Sequence, residues 1–215
     1  MHIQVVNPNT STETTALMVE MARLVVPAEV ALSGLTARTG AALIVEPVAL
    51  AVAADAVLAL QGAIVGDAVI VAAFGDPGAE ALRARLAVPV IGIGEASLRA
   101  AADQGRRFSI ATTTPLLVPS IRARVDMLGF GALLASIRVT SQDPSALTAD
   151  AVALEAALAE LVEQCIAIDG AEAVIIGGGP LSRAARTIAA RAPVPIIEPV
   201  PEAAKWVMRQ LRNGS

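Results

Sequence analysis

The sequence has few of the residues that usually carry metal, redox or nucleic-acid chemistry. Its 215 residues include one cysteine, one histidine, one tryptophan, three phenylalanines and no tyrosine. A single cysteine excludes an internal disulfide and a zinc site built from several thiolates, and no metal site is expected. With so few aromatic side chains, platforms on which nucleic-acid bases stack are missing too.

Clustered positive charge and long apolar runs are also absent. The formal net charge is −4 without a basic patch, which argues against nucleic acid as a partner. Although 55% of the residues are hydrophobic, no apolar run reaches the roughly 20 residues that cross a bilayer core. No secretory signal is visible at the start, so we expect a cytoplasmic protein without a membrane partner.

Short β-branched segments alternate with longer alanine-rich segments of helical period along the whole chain. This pattern predicts an α/β protein with parallel sheets and crossover helices. Strands are predicted over residues 3–6, 30–35, 68–72, 88–93, 108–111, 136–139, 173–176 and 194–197. The clearest helix covers residues 148–168, and Cys165 lies on its apolar face, which predicts a buried packing residue rather than a nucleophile.

The two halves of the sequence resemble each other. DAVIVAAFGDPG, which starts at Asp67, has a counterpart in EAVIIGGGPLS from Glu172, and VVNPNT from Val5 pairs with IATTTP from Ile110. Such a repeat predicts two similar lobes that face each other across a cleft. We assign residues 1–94 and 199–215 to the first α/β lobe and residues 95–198 to the second. Neither half carries a dinucleotide-binding fingerprint.

Four polar turns follow predicted strands, with the sequences NPNTSTE, FGDPGAE, ATTTPLL and GGGPLSR. Their polar residues are typical caps of helix starts, and Thr10 with Glu13 has the spacing of a capping box. The turns also lie at the carboxyl ends of parallel strands, where open α/β sheets bind ligands. Capping and ligand binding are alternatives at each turn. A cleft of this kind suits a small, mostly neutral polar organic substrate better than a phosphate-rich one.

Five segments together resemble the aspartate/glutamate racemase superfamily, and most closely its hydantoin and allantoin racemase branch: VVNPNTS, AAFGDPG, PVIGIGEA, RFSIATT and PVPIIEPV. The resemblance covers nearly the whole chain, in order. It implies two pseudosymmetric lobes with parallel four-stranded sheets, an active site between them, no cofactor and a homo-oligomer. It also implies ligand contacts from Asn7, Asn9, Thr10, Phe74, Thr112, Thr113, Gly178, Gly179 and Pro180.

The usual chemistry of that family needs two cysteines on opposite faces of the substrate. One thiolate removes the proton beside a carbonyl and the other thiol returns a proton from the far side, and a thiol pKa of about 8.5 suits both roles. The resemblance places these cysteines at Ala73 and Gly178, so the two-thiol mechanism cannot run here. An engineered Cys→Ala change would look the same at Ala73, but the second loss favours a natural branch. Cys165 cannot substitute, because it is predicted in the middle of a helix.

The sequence is therefore compatible with three functions. The first is a racemase-like isomerase acting on a carbon acid, such as a 5-substituted hydantoin or an amino-acid derivative, either with impaired activity or with the carboxylates Asp76 and Glu95 in place of the thiols. An N-cap for Asp76 and a helix-dipole role for Glu95 are the structural alternatives. Glu46 and Glu198 are weaker candidates, and Arg38 is a candidate contact for an anionic group. The other functions are a non-catalytic small-molecule-binding homologue and a lyase or decarboxylase of the same superfamily.

Overall fold

Two separate parallel sheets form the centre of this computed structural model, which describes residues 1–213. Their strands are β1 His2–Asn7, β2 Ala31–Thr36, β3 Ala68–Val71, β4 Val90–Gly92, β5 Phe108–Thr112, β6 Leu134–Val139, β7 Ala173–Ile176 and β8 Ile196–Ile197. The first sheet has the order β2-β1-β3-β4 and the second the order β6-β5-β7-β8. Every strand pairing is parallel. The predicted fold class, α/β with two parallel four-stranded sheets, is confirmed.

The strand pairs that the sequence repeat aligns occupy equivalent places in the two sheets. β3 (AVIV) and β7 (AVII) are fully buried, each beside the first strand of its half. Strands that are buried on both faces need such continuous apolar sequences. The four polar turns of the sequence lie at the carboxyl ends of β1, β3, β5 and β7.

The helices that connect the strands cover both sheets and leave the strand ends free. They are α1 Thr12–Arg23, α2 Pro47–Ala59, α3 Ala79–Arg85, α4 Ile93–Ala101, α5 Val118–Met127, α6 Pro144–Ala149, α7 Ala151–Ala167, α8 Ser182–Ala189 and α9 Pro199–Asn213. α9 packs its buried residues Val200, Ala203 and Val207 into the core cluster of the first sheet. Within the described residues, no helix combines the length and the apolar character that a membrane crossing requires.

The predicted helix over residues 148–168 is wrong at its start. Thr148 lies in α6, and Asp150 interrupts the helix because its backbone is extended, with φ −118° and ψ 100°. The Asp150 side chain accepts hydrogen bonds from the backbone N–H groups of Val152 and Ala153, at 3.0 Å each, and so begins a new helix. The prediction for Cys165 is confirmed, because its side chain is fully buried in α7. Burial raises the pKa of this thiol.

The predicted capping box at the start of α1 is also wrong, by one residue. Ser11 is the N-cap, and its Oγ accepts a hydrogen bond of 3.1 Å from the N–H of Thr14. At the end of β4 the prediction ran too far, because Ile93 is already the first residue of α4. The predicted bounds of β7 are confirmed, and the other strand boundaries differ from the prediction by at most two residues.

Candidate functional site

The four polar turns meet at one cavity between the two sheets. The space that the centres of water molecules can occupy in it is about 70 Å³. A cavity that holds one water offers roughly 10–15 Å³ of such space. The cavity therefore has room for a small molecule. Its lining consists of Asn9, Leu43, Ile44, Leu50, Ala72, Ala73, Phe74, Gly75, Thr112, Thr113, Thr114, Leu117, Ser120, Ile121, Thr148, Gly177, Gly178, Gly179, Pro180 and Leu181.

This lining carries no formal charge. Among the described residues that form it there is no Asp, Glu, His, Lys, Arg or Cys. One amide and several hydroxyls face a wall that is otherwise apolar. Burying a charged ligand group without a partner is costly, so the cavity suits an uncharged ligand with carbonyl or amide groups.

Asn9 presents the side-chain amide of the cavity, and Asn7 holds it in place from behind. Fully buried Asn7 donates from Nδ2 to Asn9 Oδ1 at 2.8 Å and to Thr15 Oγ1 at 2.9 Å. Asn9 Oδ1 also accepts a bond of 2.9 Å from the Ser11 N–H. Because the Asn9 oxygen is occupied, its Nδ2, which has no acceptor within residues 1–213, is left to donate to a ligand. Asn7 itself lies outside the lining.

Backbone N–H groups from both halves add further donors. Phe74 and Gly75 follow β3, Gly178 and Gly179 follow β7, and all four line the cavity. In the part of the chain that the structure describes, none of these N–H groups donates to a protein acceptor. Buried backbone N–H groups normally find a partner in protein, water or ligand. Among the described residues these four N–H groups have no protein acceptor, so they are available to donate to a ligand or to water.

The two positions that the sequence resemblance assigns to cysteines both line this cavity, one from each sheet. Ala73 follows β3 of the first sheet, and Gly178 follows β7 of the second. Gly178 has φ 139° and ψ 136°, a backbone conformation that favours glycine. A Cβ at this position would lie 3.3 Å from Leu181 Cγ. A cysteine would therefore be strained at 178, whereas Ala73 already has an ordinary side chain.

Asp76 lies under the turn rather than in the cavity. Its carboxylate accepts bonds of 2.7 Å from the N–H groups of Gly94 and Glu95, and it pairs with Arg124 at 2.9 Å. It thus caps α4, whereas the N-cap of its own helix α3 is Gly78. The glycines of VIGIGEA make this approach possible, because a Cβ at Gly94 would overlap the Phe74 carbonyl oxygen, and one at Gly92 the Asp76 carboxyl group.

Glu95 also lies outside the lining, in an ion-pair cluster. Its carboxylate contacts Arg83 and Arg99 at 2.9 Å each. Burial opposes ionisation, but the hydrogen bonds from the two arginines outweigh it and lower the pKa of Glu95. The catalytic roles predicted for Asp76 and Glu95 stay predictions, and in this structure neither carboxylate reaches the cavity.

The raised pKa of the buried Asp76 carboxyl predicts that the free energy of unfolding depends on pH. Burial outweighs the attraction to Arg124 and the hydrogen bonds, and it raises the pKa of Asp76 from 3.8 to about 6. Folded protein then holds this proton more tightly than the unfolded chain, so the Asp76 contribution to the free energy of unfolding falls as the pH rises from about 4 to about 6. The expected fall is roughly 3 kcal/mol, because one pKa unit corresponds to about 1.4 kcal/mol.

Urea unfolding of the native protein and Asp76→Asn across this range measures the effect. The native-minus-variant difference should decrease through the window, because only the native protein titrates at residue 76. Glu95, whose pKa shift has the opposite sign, is present in both proteins and cancels. A difference that does not change with pH would contradict the prediction.

The remaining predicted site residues divide into two groups. Phe74, Thr112, Thr113 and residues 178–180 line the cavity together with Asn9. Thr10 lies outside it, and its N–H donates 3.1 Å to the Ala41 carbonyl, which ties down the segment that carries Leu43 and Ile44. Three further candidates lie outside the lining as well: Arg38 and Glu46 are exposed, and Glu198 pairs with Arg186.

Sequence reasoning missed the apolar wall of the cavity. Leu43, Ile44, Leu50, Leu117, Ile121 and Leu181 form it, with Ser120 and Thr148 beside them. These residues have the same periodic pattern as core residues, so no separate signal marked them. α2, which carries Leu50, has Asp55 as its one charged residue and lacks a polar face, although much of it is exposed. This unusual apolar content was the one available signal for the wall.

Comparisons with known proteins extend over nearly the whole chain. Residues 3–207 match the family described as Asp/Glu/Hydantoin racemase. The chain is 34% identical over 217 residues to the hydantoin racemase of Rhizobium meliloti, covering 100% of this chain and 90% of that protein. Two solved structures are similar with a TM-score of 0.94 each. The allantoin racemase from Klebsiella pneumoniae is 31% identical, with 100% of this chain and 89% of that chain covered. The allantoin racemase from Pseudomonas fluorescens is 33% identical, with 100% and 92% covered.

Proposed function

Because the chain belongs to the Asp/Glu/hydantoin racemase family, we propose that it binds an uncharged carbon acid of the 5-substituted hydantoin type and labilises the proton beside the carbonyl without thiols. Family membership supports a racemase-like isomerase. The observation that carries the finer proposal is the uncharged cavity, in which amide and backbone N–H donors surround the positions of the two missing cysteines.

The chemistry available in the cavity is electrostatic. When a carbon acid loses its proton, negative charge develops on the neighbouring carbonyl oxygen. N–H donors at Phe74 and Gly75, or at Gly178 and Gly179, would stabilise that enolate oxygen, and donors placed in this way contribute large effects in other enzymes. Solvent would have to carry the proton, because no lining side chain titrates near neutral pH. The general acid–base contribution of roughly 10²–10⁴-fold is then missing, so activity is slow.

The uncharged lining also selects among substrate classes. A free amino acid brings a carboxylate and an ammonium group, and a decarboxylase substrate brings at least one carboxylate. Neither would meet a charged partner in this cavity. A hydantoin ring is neutral and offers two carbonyl acceptors, and the apolar wall suits an apolar 5-substituent. By family analogy we also propose a cofactor-independent homo-oligomer, which light scattering would test.

Calorimetric binding and C5-proton exchange in D₂O test the proposal together. We expect enantiopure 5-benzylhydantoin to bind to the native chain, free phenylalanine not to bind, and exchange to exceed the rate without protein. Binding without exchange would support the second candidate, a non-catalytic binder, which the missing titratable groups favour. If the native chain binds no hydantoin, both the proposed isomerase and the non-catalytic hydantoin binder are wrong.

Asn9→Asp tests the donor assigned to the cavity. An aspartate can still accept the bonds from Asn7 and Ser11, but it loses the Nδ2 donor and adds a negative charge. We expect hydantoin affinity to fall by about tenfold or more, the effect of roughly one lost hydrogen bond. Thr10→Ser, next to Asn9 but outside the lining, is the matched control and should bind as the native chain does. Unchanged binding by Asn9→Asp would remove Asn9 from the site.

A further inference from the structure

The contact between Asp76 and Arg124 joins the two sides of the cleft. Asp76 lies in the turn that follows β3 of the first sheet, and Arg124 lies on α5, which follows β5 of the second. Arg124 donates from Nη2 at 2.9 Å and from Nε at 3.2 Å to the same carboxylate oxygen, Oδ2. The Asp76 side chain is fully buried and that of Arg124 is 10% exposed. By contrast, the ion pair between Glu20 of the first half and Arg183 of the second is exposed on both sides.

Both ends of this contact carry walls of the cavity. Ala73, Phe74 and Gly75, just before Asp76, line it from the first sheet, while Ser120 and Ile121 on α5 line it from the other side. Ile121 and Arg124 are three residues apart on α5, and residues at this spacing are neighbours on a helix surface. A shift of Arg124 would therefore move the wall that Ile121 forms.

The charges around Asp76 converge on the same arginine. Arg124 contacts Glu80 of α3 at 3.2 Å and Glu95 of α4 at 3.7 Å, besides Asp76. Arg83 and Arg99 neutralise Glu95 in turn. Arg124 is thus the cation that Asp76 faces directly, and it is the one supplied by the second half of the chain.

We propose that Arg124 is a positioning residue of the cleft, which clasps Asp76 and so holds the turn over residues 73–76 at a fixed distance from the second sheet. The clasp sets the spacing between Ala73 and Gly178, the two positions between which a substrate carbon would lie. The effect of the clasp on ligand affinity rests on the proposed function, whereas its effect on the turn over residues 73–76 is independent of that function.

Hydrogen exchange on the ligand-free protein tests the clasp directly. The reporters are the N–H groups of Asp76, Gly94 and Glu95, which are hydrogen-bonded within the turn or to the Asp76 carboxylate. In Arg124→Met we expect these amides to exchange about tenfold faster or more, because the turn opens locally, while amides of α7 keep their native rates. Arg124→Lys, which keeps the charge but not the two-pronged donor, should lie between. Arg122→Met, an exposed position on the same helix, should match the native chain.

Stability against pH separates the clasp from a simple packing role. Arg124 lowers the pKa of Asp76 towards its ordinary value, so Arg124→Met should raise that pKa beyond about 6. The variant then continues to lose stability above pH 6, where the native protein no longer does, and the gap between them widens. If Arg124→Met is unfolded at neutral pH, the measurement starts near pH 5, where Asp76 is protonated in both proteins. A gap independent of pH, or native exchange rates in a folded Arg124→Met, would overturn the proposal.

The affinity for 5-benzylhydantoin completes the test. We expect it to fall about fivefold or more in Arg124→Met and to stay native in Arg122→Met. Equal affinity in native and Arg124→Met protein would refute the clasp as a determinant of the cleft. If the native chain itself binds no hydantoin, the proposed function fails, while hydrogen exchange and pH dependence still decide on the clasp.

Discussion

Replacing Asp76 with alanine is expected to lower the free energy of unfolding by about 3–5 kcal/mol, the usual effect of breaking a buried ion pair from one side. The substitution leaves the N–H groups of Gly94 and Glu95 without their acceptor and Arg124 without its main partner. Residue 76 also has φ 51°, a left-handed conformation that aspartate tolerates better than alanine does. Urea unfolding at pH 7 measures the change.

An exposed aspartate provides the control for this prediction. Asp55 lies on the solvent side of α2, and Asp55→Ala should change the free energy of unfolding by about 0.5 kcal/mol or less. If Asp76→Ala costs no more than the control, the carboxylate does not hold the turn. The assignment of Asp76 as the cap of α4 would then be wrong.

Ala73→Cys is expected to increase C5-proton exchange of one hydantoin enantiomer by roughly 10²–10⁴-fold, the usual contribution of a positioned acid–base group. Ala73 lines the cavity from the first sheet, so a thiolate there would reach one face of a bound ring. One thiol removes and returns the proton on the same side, so deuterium should enter without inversion. The rate should rise with pH, because an uncharged environment raises the pKa of a thiol.

Racemisation needs a second thiol, and the structure predicts that it is harder to install. At φ 139° a Gly178→Cys side chain strains the backbone. In the double variant Ala73→Cys/Gly178→Cys, inversion at C5 should therefore be slower than deuterium exchange at the same carbon. Ala73→Ser, similar in size but without a thiolate, is the control and should stay at the native rate. Exchange in Ala73→Ser equal to that in Ala73→Cys, or none in either, would mean that residue 73 does not face the substrate carbon.

The sequence predicted the sheets well because the signals there are local and repeated. Apolar runs such as AVIV and AVII, followed by turn residues, are typical of strands buried on both faces, and in a parallel sheet the turns after such strands fall at the same edge. That placement alone brings Asn9, Phe74, Thr112 and Gly178 to one cavity.

The orientation of single side chains was not predictable in the same way. Asp76 turns away from the cavity because Gly92 and Gly94, many residues later, leave room for its carboxylate at the start of α4. Thr148 lines the cavity from α6, a separate short helix that the sequence pattern had merged with α7. These outcomes depend on contacts between distant segments, which a pattern of residue types does not encode.

The conformation of Gly178 makes positions 73 and 178 unequal as places for a side chain. Residue 73 is not among the described residues with a positive φ, so a cysteine there needs no unusual backbone conformation. At 178, within the run Gly177–Gly179, the type of side chain and the backbone conformation are linked, because φ 139° suits glycine and strains other residues. A cysteine introduced at 178 alone would meet a backbone conformation that does not suit it. A functional pair of thiols in this cleft therefore requires a change in the path of the chain at 178 as well as two substitutions.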